Sequence, residues 1–463
     1  MRVLHIGWGF RPWRGGGLIE YTEDLMDAPA DNGWEVYYFF SCRHYPFKKT
    51  SLKVWKNKKV TMLEVLNSPI YHLGGMGTVH PQLDLSEPHT ENIFKDVLRR
   101  VKPDIIHIQE LAGLPSSVID IAKDEFNIPL VMTLHDFFLL CPTLNLFNYK
   151  NQNCFKDQVG EDCVICCGNA YESLQKYQIY TLIYKVLEIV HLHETANKLL
   201  NRLRMRSTSL SNEQNQINRV KSQLYQKRRN INIKRLEKID LLIAQSSRVE
   251  EIYKKFLSNP NIITLHSTVK HLELIKPKEI KAKHPIKFAT LSGCYSIKKG
   301  SRLILETVRR LNDEGLGDLY EMHIWGEFDY QIKEIVEIPN VHYHGSYEID
   351  QLDEILNQVD VGIIPSMLEE VYGYTGIEFL KKGIPIIGNA KGGITDYTIN
   401  DLTGWVNSTA SSRELVNIIK YILKNPEKID TLNKKILNDK TLIKSMDTHF
   451  KEINGIYNRI IKA

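Results

Sequence analysis

The chain has no run of about 20 apolar residues, the length a membrane-crossing helix needs. Nor does it begin like a leader: residues 1–7, Met-Arg-Val-Leu-His-Ile-Gly, pass straight into a strand pattern. Both absences lead us to expect cytoplasmic folding. A strong charge of either sign is missing too. There are 60 Lys and Arg against 55 Asp and Glu, and a formal +5 on 463 residues does not imply a nucleic acid partner. Cysteine is scarce, at seven, and a reducing compartment keeps such thiols free unless they bind metal. The first glycine-rich loop is no dinucleotide fingerprint, because Gly7 and Gly9 are followed by Pro12 where a third glycine is needed.

What is present is an ordinary globular composition, 43% hydrophobic and 25% charged. A chain of 463 residues is too long for one core, so two domains are expected. Strand patterns over 3–8, 35–40, 61–66, 105–109 and 130–135 alternate with helix patterns over 18–26, 91–101 and 114–126. A strand at 241–245, a helix at 249–256 and a strand at 262–266 close this series, and the lysine-rich stretch 271–284 reads as a linker. A second series has strands at 286–291, 321–325, 341–344 and 361–365, and ends in helices over 412–424 and 427–462. Such alternation gives parallel, doubly wound sheets with ligands at the strand ends. His107 and His135 fall at such ends. Gly15, Gly16 and Gly17 lie just before the first helix, where backbone N–H groups can meet an anion.

The densest signal runs from Ile364 to Val406. A buried strand ends at Pro365-Ser366, a loop carries Glu370, and a helix opens at Gly373, Tyr374 and Thr375 with Glu378 one turn further along. Carboxylates accept hydrogen bonds from a vicinal diol, and a helix N-terminus favours phosphate. A second strand follows at 384–388, then Lys391-Gly392-Gly393, a turn that permits close backbone approach and positive φ.

With Pro365-Ser366 before it, and Gly383-Ile384-Pro385 and Gly392-Gly393 after it, the Glu370/Glu378 pair resembles the Glu-x7-Glu hallmark of the retaining glycosyltransferases of family 4. The resemblance covers nearly the whole chain except 141–236. It implies an α/β protein of the GT-B fold, two Rossmann-like doubly wound domains facing a cleft, here with a largely helical insertion. The expected limits are 1–272 for the acceptor-side domain, 273–445 for the nucleotide-sugar domain, and 446–463 for a helix returning to the first. The resemblance implies catalytic roles for His135, within Thr133-Leu134-His135-Asp136, for Lys299, before Gly300, and for Glu370 on the sugar hydroxyls. Glu378 is implied on the ribose diol, with Gly15, Gly16, Gly17, Gly373, Tyr374 and Thr375 beside the donor. Gly326-Glu327 and Gly345-Ser346, at strand ends, suit the walls of a nucleobase pocket. One departure is Cys294, where the family usually has arginine; Lys298 or Arg302 are the candidates to supply that charge.

There is no Asp-x-Asp of the kind that carries a divalent metal in other glycosyltransferases, so no catalytic cofactor is expected. The leaving diphosphate must then be stabilised by Lys299, the glycine loops and helix N-termini. Retention is implied, with same-face attack as the simplest route. The insertion is harder to read. Cys163-Val164-Ile165-Cys166 has C-x2-C spacing, and Cys141 and Cys154 would complete four ligands for a structural zinc, or alternatively an iron–sulfur cluster. Packed reduced thiols or a disulfide are the plain alternatives. Between Lys198 and Arg235 there are eleven Lys and Arg against the single acid Glu213, which suits either an anionic membrane surface or a solvated helical hairpin.

The expected partners are a nucleotide-sugar donor, UDP-sugar favoured, and a glycan or lipid-linked acceptor. The expected setting is cell-surface polysaccharide synthesis, peripheral on the inner membrane face. A catalytically silent glycan-binding or scaffolding partner is the reading from a different class, and a nucleotide-sugar epimerase or a phosphorylase the other enzymes with such a cleft.

Overall fold

The computed structural model describes residues 1–168 apart from 46–47, 71–76 and 79, and residues 219–462 apart from 292–294 and 328. Between 169 and 218 it describes 179, 182, 183 and 186. The chain forms two compact units, one of Met1–Ile243, Tyr253–Ile263 and Glu452–Ala463, the other of Ala244–Ile252 and Thr264–Lys451.

The first unit is built on a sheet of β1 (Arg2–Gly7), β2 (Glu35–Phe40), β3 (Ser51–Asn57), β4 (Val60–Leu66), β5 (Ile105–Ile108), β6 (Leu130–Leu134), β7 (Leu241–Ala244) and β8 (Ile262–Thr264). Their order is β3-β4-β2-β1-β5-β6-β7-β8. β5, β6 and β7 are buried along their whole length, which is why they read as apolar stretches, broken by His107 in β5 and Thr133 in β6. β1 pairs in parallel with β2 and β5, and β2 with β4. β3 was not expected. It pairs antiparallel with β4 at the sheet edge, and its largely exposed residues, with Lys53 and Lys56 outward, lack an apolar alternation. The stretch 114–126, expected as one helix, is helical only over Val118–Asp120 and Ile121–Glu125.

The second unit holds β9 (Ile286–Leu291), β10 (Tyr320–Trp325), β11 (Val341–Gly345), β12 (Val361–Ile364), β13 (Ile386–Asn389) and β14 (Gly404–Asn407). Their order is β11-β10-β9-β12-β13-β14, and every pairing is parallel. The chain winds outward from β9 to one edge, then returns to β12 and winds to the other. In such sheets a ligand crevice opens at the carboxyl ends of the strands where the order reverses. Here that point lies between β9 and β12. The helix expected over 427–462 is two, Glu427–Asn438 and Met446–Lys462. The break is a local competitor for the backbone: Asp439 Oδ1 accepts from the Thr441 N–H (2.9 Å) and hydroxyl (2.7 Å).

Candidate active site

The second unit brings Lys299, Ser366 and Glu370 together at the switch point. After β9 a single turn, Ile297–Lys299, ends at Gly300, whose φ is +89°. A Cβ on Gly300 would stand 2.2 Å from the Pro365 carbonyl oxygen, so glycine alone lets this turn close on the end of β12. The Met367 N–H donates to the Lys298 carbonyl (2.9 Å) and completes the closure. Lys299 Nζ then donates to Glu370 Oε1, and the Ser366 hydroxyl donates to the same oxygen at 2.7 Å. A small cavity of about 20 Å³ opens here, lined by Thr290 and Leu291 from β9, Ser366, Glu370, Lys299 and Thr375.

Burial alone would lower the Lys299 ammonium and raise the Glu370 carboxyl. The attraction between them outweighs it, so Lys299 titrates above its usual 10.5 and Glu370 below its usual 4.5. Both are charged at neutral pH, a cation and an anion side by side at a strand end.

Glu369, which sequence reasoning passed over, holds this loop in place. Its carboxylate accepts two N–H groups of Arg248, at 3.2 and 3.1 Å, and the Gly392 N–H at 2.8 Å. The Gly393 N–H donates to the Glu370 carbonyl at 2.6 Å. Gly392 has φ +55°, and a Cβ there would lie 1.9 Å from that carbonyl oxygen. The close approach expected of this glycine turn is thus an approach to the protein's own loop. No spacing rule marks Glu369, because its partners come from residues 121 and 23 positions away.

The helix Tyr374–Lys382 opens at Gly373, with φ +87°. Gly376 packs its Cα against the Tyr397 ring, 2.3 Å from where a Cβ would be, and the Tyr397 hydroxyl donates to the Gly373 carbonyl at 3.1 Å. Thr375 faces the cavity, whereas the Tyr374 hydroxyl donates to Ser267 Oγ at 3.0 Å. Glu378, 7% exposed, receives His271 Nε2 on Oε1 at 2.9 Å. Its Oε2 is buried with no hydrogen-bond partner among the described residues. His271 sits in what the sequence offered as linker; a lone histidine among lysines gave no sign of this role. Gly326 ends β10 with φ +105° and donates to the Gly345 carbonyl at 2.8 Å, so the two strand-end glycines meet. Cys294 lies outside the described residues. Arg302 is exposed.

In the first unit Gly16 has φ +96° and caps the helix Gly17–Asp31. A Cβ on Gly15 or Gly16 would meet nothing within 4 Å, so no packing demands glycine there. One turn on, Tyr21 meets the His135 ring edge-on at 4.8 Å between centroids. His135 Nε2 donates to Gln109 Oε1 at 2.9 Å, which sets its tautomer. His107 is different in kind. It is fully buried, with Nδ1 2.5 Å from the Tyr457 hydroxyl and Nε2 2.8 Å from Thr133 Oγ1, and is part of the core.

The cysteines between 154 and 167 gather around the helix Gly160–Cys166, where Cys163 and Cys167 pack with Val159, Val164 and Tyr225 and Cys154 packs against them. Burial and neighbouring thiols push Cys166 up to about 11 and Cys167 up to about 12, so both stay protonated at neutral pH. Among the described residues no three cysteine sulfurs lie within 4.8 Å of one another. The basic run is described only in part. Residues 198–218 lie outside the described residues, and in the helix Arg219–Leu236 three of the arginines point inward. Arg228, 1% exposed, donates to Asp84 (2.7 Å) and the Phe138 carbonyl (2.9 Å). Arg229 lies over Phe256, and Arg235 donates to Asp120, to Ser116 and to the Leu85 carbonyl. Those cations are structural, and Arg219, Lys227 and Lys234 remain exposed.

Two α/β units, one on an all-parallel sheet and one parallel but for its edge strand β3, are the units of the GT-B fold, and solved structures of that class match end to end. Sucrose-phosphate synthase from Thermosynechococcus elongatus superposes with a TM-score of 0.63 at 17% identity, covering 100% of this chain and 99% of that one. Anabaena HepE in complex with UDP and glucose gives 0.59 at 13% identity, covering 98% and 99%. At that identity the likeness is one of fold.

The family then comes from the second unit. Residues 274–438 match the family model described as Glycosyl transferases group 1, so this unit is a glycosyltransferase group 1 domain. Curated relatives include lipopolysaccharide 1,2-N-acetylglucosaminetransferase of Salmonella typhimurium, 24% identical over 149 residues (30% of this chain, 39% of that protein). Another is the putative colanic acid biosynthesis glycosyltransferase WcaL of Escherichia coli, 26% identical over 132 residues (26% of this chain, 31% of that protein). The chain thus spans less than two fifths of the curated relatives it matches.

Proposed function

We propose that this protein is a retaining glycosyltransferase that moves a sugar from a nucleoside diphosphate sugar, UDP-sugar favoured, to a glycan or lipid-linked acceptor in polysaccharide synthesis. The observation that carries the reading is the Lys299–Glu370 pair, at the switch-point cavity of a glycosyltransferase group 1 domain. Glu378 supports it, since a buried carboxylate with one oxygen held by His271 and the other without a partner among the described residues suits the two hydroxyls of a ribose. The names of the curated relatives favour a surface polysaccharide, and the UDP complex of HepE favours UDP.

The chemistry follows from these groups. The acceptor oxygen bonds to the anomeric carbon on the face from which the diphosphate leaves. The carbon–oxygen bond to the diphosphate breaks with its electron pair, and a departing phosphate oxygen takes the acceptor proton. Lys299 turns from Glu370 toward the developing negative charge, while Glu370 accepts from sugar hydroxyls. His135, with its tautomer set by Gln109, is assigned to a hydroxyl of the transferred sugar. Docking on an anionic membrane surface is the finer part of the proposal, carried by the exposed basic residues. Flotation with anionic vesicles at low salt, lost at high salt, would support it.

Thermal-shift binding with UDP, GDP and ADP, with and without EDTA, tests the donor. Stabilisation by UDP that survives EDTA, with release of UDP from a UDP-sugar, is the expected result. No stabilisation by any nucleotide and no release would favour the silent glycan-binding partner instead.

A further inference from the structure

Outside this site, β10 and β11 carry Glu321-Met322-His323 and His342-Tyr343-His344. Alternate residues of a strand share a face, and the parallel register places His323 opposite His342. One carboxylate and three imidazoles therefore crowd one face of two adjacent strands, at the edge of the sheet. His323, 7% exposed, has Nε2 at 3.1 Å from Glu321 Oε2 and Nδ1 at 3.0 Å from His344 Nε2. The His323 and His342 rings lie 4.9 Å apart. Ligand atoms of Glu321, His323 and His342 all fall within 4.8 Å of one another, and among the described residues they form the only such group.

We propose that Glu321, His323 and His342 bind one divalent transition-metal ion of the zinc class, with His323 ligating through Nε2 and His344 accepting its Nδ1–H. Two imidazoles and a carboxylate suit zinc and its neighbours, and not magnesium or calcium, which take oxygen ligands. Zinc bonds of about 2.0 to 2.1 Å hold ligand atoms roughly 3.4 Å apart, so the site closes by side-chain rotation, without movement of either strand. The Glu321–His323 contact is then a proton-bridged form of the empty site, in which the ion replaces the proton. The His323–His344 contact is the outer hydrogen bond that orients a metal-bound imidazole. His344 in turn stacks on Trp325 at 4.2 Å and 11°. An ion here ties the edge strand to its neighbour beside the paired Gly326 and Gly345 turns.

The test uses tag-free, metal-stripped full chain titrated with Co²⁺ and then Zn²⁺. One Co²⁺ per chain is expected, with a visible d–d band free of near-ultraviolet thiolate charge transfer, displaced by Zn²⁺ and accompanied by a rise in melting temperature. His342→Ala should abolish the band, and His344→Ala should weaken binding by about tenfold or more. His342 is on the edge strand, so the metal-free variant should melt like the metal-free parent, which separates a lost site from a lost fold. Cys163→Ser should leave the band intact. Three results would overturn the proposal: no binding at micromolar metal, binding unchanged in His342→Ala, or a charge-transfer band that Cys163→Ser removes.

Discussion

Glu370 Oε1 accepts from both Lys299 and Ser366, so one oxygen organises the centre of the candidate site. Preorganised donors at such a centre are each worth about 3 to 4 kcal/mol of barrier. Lys299→Ala should therefore lower transfer by roughly a hundredfold or more, and Glu370→Gln similarly. Both side chains are partly solvent-facing, so the melting temperature should move little; steady-state rates beside a melting curve check this. A second residue-scale prediction concerns Glu110. It is buried, accepts the Leu111 and Ala112 N–H groups at 2.6 and 2.9 Å, and lies beside Asp136. Burial first, and then the Asp136 charge, hold its carboxyl well above the usual 4.5. The folded chain keeps a proton that the unfolded chain releases, so this contribution is complete below pH 4.5 and is lost as pH rises toward the folded value. Glu110→Gln should flatten the fall in melting temperature with rising pH.

At the scale of elements, the turn 391–393 and the loop carrying Glu370 are one structure joined by Glu369, Arg248 and Gly392. Gly392→Ala forces a Cβ to within 1.9 Å of a carbonyl oxygen and adds strain at φ +55°. Activity and domain stability should fall together, whereas Lys299→Ala separates them. The helix Arg219–Leu236 is held in an unusual way, by arginines and Asn232 rather than an apolar stripe. Removing Arg228 strands Asp84 as a buried charge at 2% exposure. Breaking such a pair costs about 3 to 5 kcal/mol, so Arg228→Ala should unfold at markedly lower denaturant concentration. A purely surface role for the basic run would leave that midpoint unchanged.

For the whole molecule, ligand binding to the folded state alone raises stability by mass action, about 2.7 kcal/mol at a hundredfold excess over Kd. UDP at that excess should raise the melting temperature, and the Lys299→Ala and Glu378→Ala variants should blunt the rise. If EDTA removed the effect, a metal would be carrying the diphosphate and Lys299 would lose its assigned role.

The sequence by itself determined the two wound sheets, since strands buried on both faces leave apolar runs, as in β7 and β12. The family resemblance singled out Glu370, Glu378 and Lys299, of which the structure brings Lys299 and Glu370 into contact; the glycines around them were legible because a chain that must bend or approach closely needs glycine there. β3 stayed hidden because an exposed edge strand has no apolar pattern, and the 427–462 break because it rests on one aspartate. Glu369, Arg248 and His271 had no local signature at all. Each acquires its role from a partner 23, 121 or 107 positions away, and the inward turn of Arg228 from one 144 away. Such pairings are decided by how the sheets wind and pack, so only the tertiary structure could reveal which charges gather at the candidate site and which hold the fold.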